Sequence, residues 1–239
     1  MDEFFDGFGI ALLAHYRGEP SDHVIERDDG FVDETDASYY FRSFEEWPEY
    51  EQEAIQESKG RVVDVGLGAG RHALWLQERG HEVVGIDVSP LALEVSRLRG
   101  VRDCRLMDVR EMTFPDASFD TVLMLGANLG IMGDIDKIRG TLNELHRVTA
   151  EDGIIIGSSR NPFTTDNPAH LAYHEMNRRR GKPPALVRIR IGFGGRFGEW
   201  FHLLLMSQEE LAEIIEPTGW AISKIFSLGS EYIAVLVKS

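Results

Sequence analysis

Apolar and polar positions change rhythm several times along this chain of 239 residues. From residue 61 onward, short apolar runs (RVVDV, EVVGID, FDTVLML, GIIIGS) alternate with stretches of helical spacing. That alternation predicts a parallel sheet covered on both faces. Strands are expected at 61–65, 82–87, 103–107, 119–125 and 153–158, with helices at 70–79, 89–99 and 134–148 between them. Ser89-Pro90 makes a good helix start, serine as N-cap and proline in the first turn. Gly80 and Gly100 stand where helix C-terminal glycines belong.

Past residue 160 the rhythm breaks. Residues 160–184 are polar and hold four of the nine prolines, which predicts a loop with a short helix near 168–179. Runs at 186–191 and 199–206 flank the glycine-rich GFGGRFG and predict a β-hairpin. Within it, Ile189 and Ile191 alternate with Arg188 and Arg190, one face apolar and the other cationic. A serine-capped helix at 207–217 precedes two closely spaced strands, 220–227 and 232–237, which must pair antiparallel. The first 58 residues are rich in aromatics, Phe4, Tyr39, Tyr40, Phe41 and Trp47 among them, and are expected to be mostly helical. The fold class is therefore α/β: a doubly wound, mostly parallel seven-stranded sheet with an antiparallel C-terminal strand. An N-terminal helical lid (1–58) and a β-hairpin insertion after strand 5 (160–206, within a domain at 59–239) complete it.

Composition narrows the class. With 43% hydrophobic residues the chain has ample material for one core. A single cysteine, Cys104, excludes an intramolecular disulfide and fits a reducing compartment. The opening MDEFFDGF has acidic flanks, and the apolar patch at 10–14 is too short for a signal peptide or a membrane span, so a cytoplasmic location without membrane association is expected. Charge is unevenly placed: residues 1–58 hold 17 acids against three arginines and account for nearly all of the net −15. Such a balance argues against broad nucleic-acid binding, which depends on Lys and Arg meeting phosphates. The oligomeric state is not legible.

Chemistry concentrates in RVVDVGLGAGRHALWL, residues 61–76, where three glycines follow a strand that ends in an acid. Glycine permits positive φ and leaves a ligand room to approach. A dinucleotide-binding turn would need its third glycine at 71, which is Arg71; the third glycine stands at Gly70 instead. Asp64 would repel a pyrophosphate and attract an ammonium group. A nucleoside carrying a positive amino acid fits better than NAD.

Asp64-x-Gly66-x-Gly68-x-Gly70 resembles the first motif of the class I (Rossmann-like) S-adenosylmethionine-dependent methyltransferases. The resemblance implies S-adenosyl-L-methionine as cofactor and assigns expected cofactor-binding residues. Asp87, closing VVGIDVSP with Val88 beside it, matches the ribose-binding acid. Asp108 matches the acid that accepts from the adenine amino group, with the Val109 amide serving a ring nitrogen. Leu125 and Gly126 lie where the family's backbone meets the methionine moiety.

The methyl acceptor is less legible. Residues 125–132 read LGANLGIM, without the Asn/Asp-Pro-Pro-aromatic sequence of amino-methylating DNA enzymes, and Cys104 lies on a strand rather than in a Pro-Cys turn. A small-molecule acceptor methylated by direct in-line transfer is the leading reading. An RNA or protein methyltransferase, or a cofactor-binding protein without transfer activity, are the alternatives. His15, Tyr39, Tyr40, His170 and His202 are candidate bases, and nothing in the sequence chooses a catalytic residue. Asn128 is placed to touch substrate or cofactor. His170 and His174 share a helical face, but no further ligand accompanies them and no metal is expected.

Overall fold

Alternating apolar residues sort themselves to opposite sides of a strand, and this sorting builds the centre of the molecule. The computed structural model describes residues 5–239, so Phe4 of the N-terminal aromatic group lies outside the described residues. From the N-terminus, helix α1 (Gly7–Tyr16) leads into strands β1 (Asp22–Arg27) and β2 (Val32–Asp36). Two short 3-10 turns (Ala37–Phe41 and Phe44–Glu46) and helix α2 (Glu49–Ile55) follow. Next come β3 (Arg61–Val65), α3 (Arg71–Glu78), β4 (Glu82–Asp87), α4 (Pro90–Arg99) and β5 (Asp103–Leu106). Strand β6 (Phe119–Met124), helix α5 (Ile135–Val148) and strand β7 (Thr149–Arg160) complete the parallel part. The insertion supplies α6 (Pro168–Arg179), β8 (Leu186–Phe193), β9 (Arg196–Phe197) and β10 (Phe201–Leu204). Helix α7 (Gln208–Ile215) and strands β11 (Trp220–Leu228) and β12 (Glu231–Lys238) end the chain.

The central sheet has seven strands in the order β11-β12-β7-β6-β3-β4-β5. Strands β3 to β7 run parallel. Only β12 opposes its neighbours, lying antiparallel to both β7 and β11. Along β7, Ile155 joins one core while Ile154 and Ile156 join the other; along β12, Ala234 and Leu236 separate from Ile233 and Val235 in the same way. Burial on both faces is what a parallel sheet with helices on each side requires. The caps follow the sequence reading: Ser89 Oγ accepts from Ala92 N at 2.9 Å, and Gly100 closes α4 at φ +108°.

The N-terminal segment corrects the expectation of a mostly helical lid. Helix α1 and α2 are present, but β1 and β2 between them form a sheet with the insertion, in the order β10-β8-β1-β2, with β9 also paired to β8. Ile25 pairs with Ile191 and Glu26 with Arg190. Strands β1 and β2 pair with each other locally, but what joins them to the insertion is the pairing of β1 with the distant β8, which tertiary contact supplies. Acid meets base here as well, the Arg190 guanidinium lying 2.6 Å from Glu26. Helix α6, in this polar stretch, buries Tyr173, His174 and Asn177. Tyr173 Oη donates to Asp28 at 2.7 Å, while the Arg27 guanidinium lies 4.3 Å over its ring. Arg178 and Arg179 stay exposed at the helix end and pair with Glu175. Among the described residues, no helix is long and apolar enough to cross a membrane.

Candidate cofactor site

Open parallel sheets bind ligands beyond the carboxyl ends of their strands, and the residues singled out in sequence gather at that edge. The turn after β3 takes Gly66, Gly68 and Gly70 through positive φ. Two of these glycines do different jobs. A Cβ on Gly70 would sit 2.6 Å from Val101 and 2.9 Å from Ser96, so this glycine lets α3 approach α4. A Cβ on Gly68 would meet only the Phe8 ring, at 3.9 Å, so the turn stays open to a ligand there. Asn128, in the turn after β6, lies over Gly66 and donates its amide to Val65 O at 3.2 Å.

Asp87 is nearly buried at the end of β4. Its Oδ2 accepts from the Gly68 N–H at 2.9 Å and its Oδ1 from the Ser89 N–H at 2.8 Å. Burial raises its pKa, the two amides pull the other way, and the charge of Asp6 adds to the rise. Val88 beside it is 60% exposed, an apolar surface suited to the face of a flat ring. Asp64 is buried, and its Oδ2 has no hydrogen-bond partner. Burial, with a contribution from Asp87, pushes its pKa up to about 8. Asp108 lies apart from both and is gripped by Arg110, whose guanidinium contacts both carboxylate oxygens and holds the group below the usual range. Val109 and Leu125 are buried, and Gly126 takes φ +74°. All ten residues expected at a cofactor site thus lie at or just beyond the ends of β3 to β6.

The structure adds residues that sequence reasoning passed over. Glu51, on α2, holds Arg71 at 2.6 Å and His72 at 2.6 Å; Glu51 and His72 are buried, and the Arg71 side chain is almost wholly out of solvent. Burial raises the Glu51 pKa, but the His72 hydrogen bond and the neighbouring positive charges outweigh it, and the net direction is down. His72 is shifted down by burial, so a neutral ring donating Nε2–H to an ionised Glu51 satisfies both groups. Tyr39 lies 4.7 Å from the Arg71 guanidinium, and Tyr40 packs edge-on to Phe8 at 5.0 Å. Asp6 caps α1 and accepts from Ser89 Oγ at 2.5 Å, tying that helix to the strand end that carries Asp87. The only local hint of this assembly was Arg-His directly after the glycine turn.

The candidate bases scatter. Burial raises the Tyr40 pKa to about 12, which keeps the phenol protonated. His15 bonds Ser21, His170 contacts Thr165, and His202 lies beyond Gly133. His23, unmarked in the sequence, is buried between Phe8 and Tyr40, where desolvation lowers its pKa. No group of three or more His, Cys, Asp or Glu among the described residues could hold a metal ion. A surface recess of about 330 Å³ beside Phe44, Trp75 and Arg79 lies at the far end of α3 and touches none of these residues.

Relatives place this geometry. Residues 63–157 match the family model described as a methyltransferase domain. A crystal structure of a SAM-dependent methyltransferase from Bacteroides fragilis, in complex with S-adenosyl-L-homocysteine, superposes with a TM-score of 0.84. It is 27% identical to this chain, and the match covers 99% of this chain and 98% of that one. This chain belongs to the class I S-adenosylmethionine-dependent methyltransferases. Family membership brings S-adenosylmethionine as cofactor. A demethylmenaquinone methyltransferase of Tropheryma whipplei is 32% identical over 98 residues, 40% of this chain and 39% of its own length. A glycine/sarcosine N-methyltransferase of Aphanothece halophytica is 29% identical over 153 residues, 62% of this chain and 56% of its own. The chain thus spans about half or less of the curated relatives it matches. The structural likeness, by contrast, runs through the N-terminal segment and the insertion.

The site suits that cofactor on its own terms. Gly68 leaves an open approach, Asp87 presents two oriented oxygens, and a buried Asp64 oxygen lacks a partner.

Proposed function

We propose that this protein methylates a small-molecule acceptor by direct in-line transfer, with Asp87 holding the ribose hydroxyls and Asp108 accepting from the adenine amino group. Val88 lies against the adenine ring, the Val109 N–H serves a ring nitrogen, and the Leu125–Gly126 backbone borders the methionine moiety. Gly66, Gly68 and Gly70 shape the turn beneath it, and Asp64 attracts the ammonium group. The cofactor supplies an electrophilic methyl on a sulfonium. The protein's part is to align the acceptor behind that methyl and exclude water, effects of proximity and desolvation. A base is required only if the acceptor holds its proton at neutral pH.

The observation that carries the small-molecule reading is the second sheet. It joins the acidic N-terminal segment to the insertion, packs α1 against the glycine turn and brings β10 up to Gly130 and Gly133. A site roofed in this way favours a compact acceptor over a polymer, and the net charge of −15 disfavours nucleic acid. Residues 1–58 and 160–206 act in this reading as one lid over the domain at 59–239. Transfer of labelled methyl from S-adenosylmethionine into fractionated lysate tests it: label should enter the low-mass fraction. Label confined to RNA or protein would overturn the small-molecule reading, and cofactor binding without any transfer would overturn the enzymatic one. Limited proteolysis tests the lid. S-adenosylhomocysteine should protect sites in 20–45 and 160–185, and unchanged cleavage in both would count against it.

A further inference from the structure

Away from the glycine turn, two buried polar atoms have no hydrogen-bond partner: Ser58 Oγ and Trp75 Nε1. Both residues line the recess of about 330 Å³ at the far end of α3, with Phe44, Ile55, Arg79 and His81 around them. That volume is in the range of small-molecule pockets, and an unmade hydrogen bond on a buried group is costly. The Arg79 guanidinium lies 3.7 Å over the Trp75 ring. Its Nη1 donates to Trp75 O at 3.3 Å, which leaves Nε and Nη2 without a partner among the described residues. Phe44 stacks on the same indole at 4.8 Å, and Ile55 is fully buried. Ser58, Trp75 and Arg79 thus offer three donors, one of them a cation, beside aromatic and aliphatic walls. One guanidinium on a chain of net charge −15 suits a monoanion better than a phosphate. Arg79 is exposed, so its long side chain can lift from the ring, uncover the indole N–H and meet the charge of a ligand.

Two helices tie this recess to the cofactor end. Helix α2 ends in Ile55 at the recess and carries Glu51, which holds Arg71 and His72. Helix α3 starts with Arg71 and His72 and carries Trp75 to the recess. Trp47 spans the gap between the two ends. Its ring lies 5.3 Å from Phe44 and 4.8 Å from His72, with the Arg71 guanidinium 5.3 Å over it. We propose that the recess is an effector site for a small aromatic carboxylate. The carboxylate accepts from Trp75, Ser58 and Arg79, and the ring packs against Phe44 and Ile55. A ligand there fixes α2 against α3 and steadies the glycine turn that α3 follows, which raises cofactor affinity. The effector role rests on the cofactor reading above; binding in the recess does not.

Phenylacetate and indole-3-acetate are the probes, with phenylacetamide as the neutral control. Proton–nitrogen NMR separates the indole N–H signals of Trp47, Trp75, Trp200 and Trp220, and Trp75→Phe identifies one of them by its loss. The carboxylates should move the Trp75 signal with a Kd of about 1 mM or tighter. They should leave that of Trp220, which donates to Leu142 O at 3.0 Å, in place. Phenylacetamide should bind about fivefold more weakly. A Trp75 signal that neither carboxylate moves, or equal affinity for acid and amide, would overturn the site. If Trp75→Phe does not fold, Arg79→Gln at its exposed position decides: it should cost phenylacetate about fivefold and phenylacetamide less than about twofold, and equal losses would overturn the site. Calorimetry with saturating phenylacetate should show S-adenosylhomocysteine binding about threefold more tightly, and unchanged affinity would overturn the effector role. S-adenosylhomocysteine that binds neither with nor without the probe would instead sink the cofactor reading, while the Trp75 signal still decides the recess.

Discussion

Asp87 and Asp64 are both buried acids at the ends of adjacent parallel strands, yet they are in opposite electrostatic situations. Each oxygen of Asp87 already accepts from a backbone N–H, of Gly68 and of Ser89, so the group is oriented before any ligand arrives. Asp64 has an oxygen with no partner, and its pKa is pushed up to about 8. One end of the site is preorganised, while the other is incomplete until a positive group enters. The comparison teaches that burial alone does not define a binding acid. What matters is which hydrogen bonds the fold supplies and which it leaves to the ligand.

The largest effect expected from breaking the contrast is at the preorganised end. Asp87→Ala should weaken S-adenosylhomocysteine binding by about 10- to 150-fold, corresponding to roughly 1.5–3 kcal/mol for hydrogen bonds to a charged group. Calorimetry on a folded variant with unchanged affinity would remove Asp87 from the ribose assignment.

At the incomplete end, pH sharpens the difference. The folded-state pKa of Asp64 lies above its unfolded value, so the protonated carboxyl stabilises the fold fully at low pH. That contribution fades as pH rises towards about 8. Asp64→Asn keeps a neutral group throughout. The ligand-free variant should therefore lose less thermal stability than wild type between about pH 4 and 8, the interval between the unfolded and folded pKa values, and at about pH 8 it should bind S-adenosylhomocysteine about tenfold more weakly. Parallel Tm curves for the two proteins would show that the carboxyl titrates normally. Smallest is the effect at Asp108, whose carboxylate is partly solvated and already held by Arg110. Asp108→Ala should cost about two- to tenfold in affinity, as for one neutral hydrogen bond. A loss matching that of Asp87→Ala would show that the two acids share the ligand more evenly than their surroundings imply.

Much of this is legible in the sequence, for reasons particular residues make plain. The glycine turn, Asp87 and Asp108 are read locally because each follows its own strand directly, and strand ends are marked by the break from apolar runs to turn residues. The Ser89 and Ser207 caps act within three residues and are equally visible. By contrast, the Asp22–Arg27 strand carries no such mark: it pairs with its neighbour β2 and with the distant β8, and nothing in DHVIER by itself demands a strand. In the sequence Glu51 is one more acid in an acidic stretch, and only the fold sets it against Arg71 and His72.

By itself, then, the sequence determined the alternation of strand and helix, the glycine turn and the order of the three acids. These depend on period, local turn chemistry and neighbouring residues, all of which act over a few positions. The tertiary structure alone decided that the N-terminal segment and the insertion share a sheet, that Glu51 faces Arg71, and that Asp64 is left with an unpaired oxygen. Pairing across long separations, burial and the resulting pKa shifts depend on which surfaces the finished core brings together, and no local pattern encodes that.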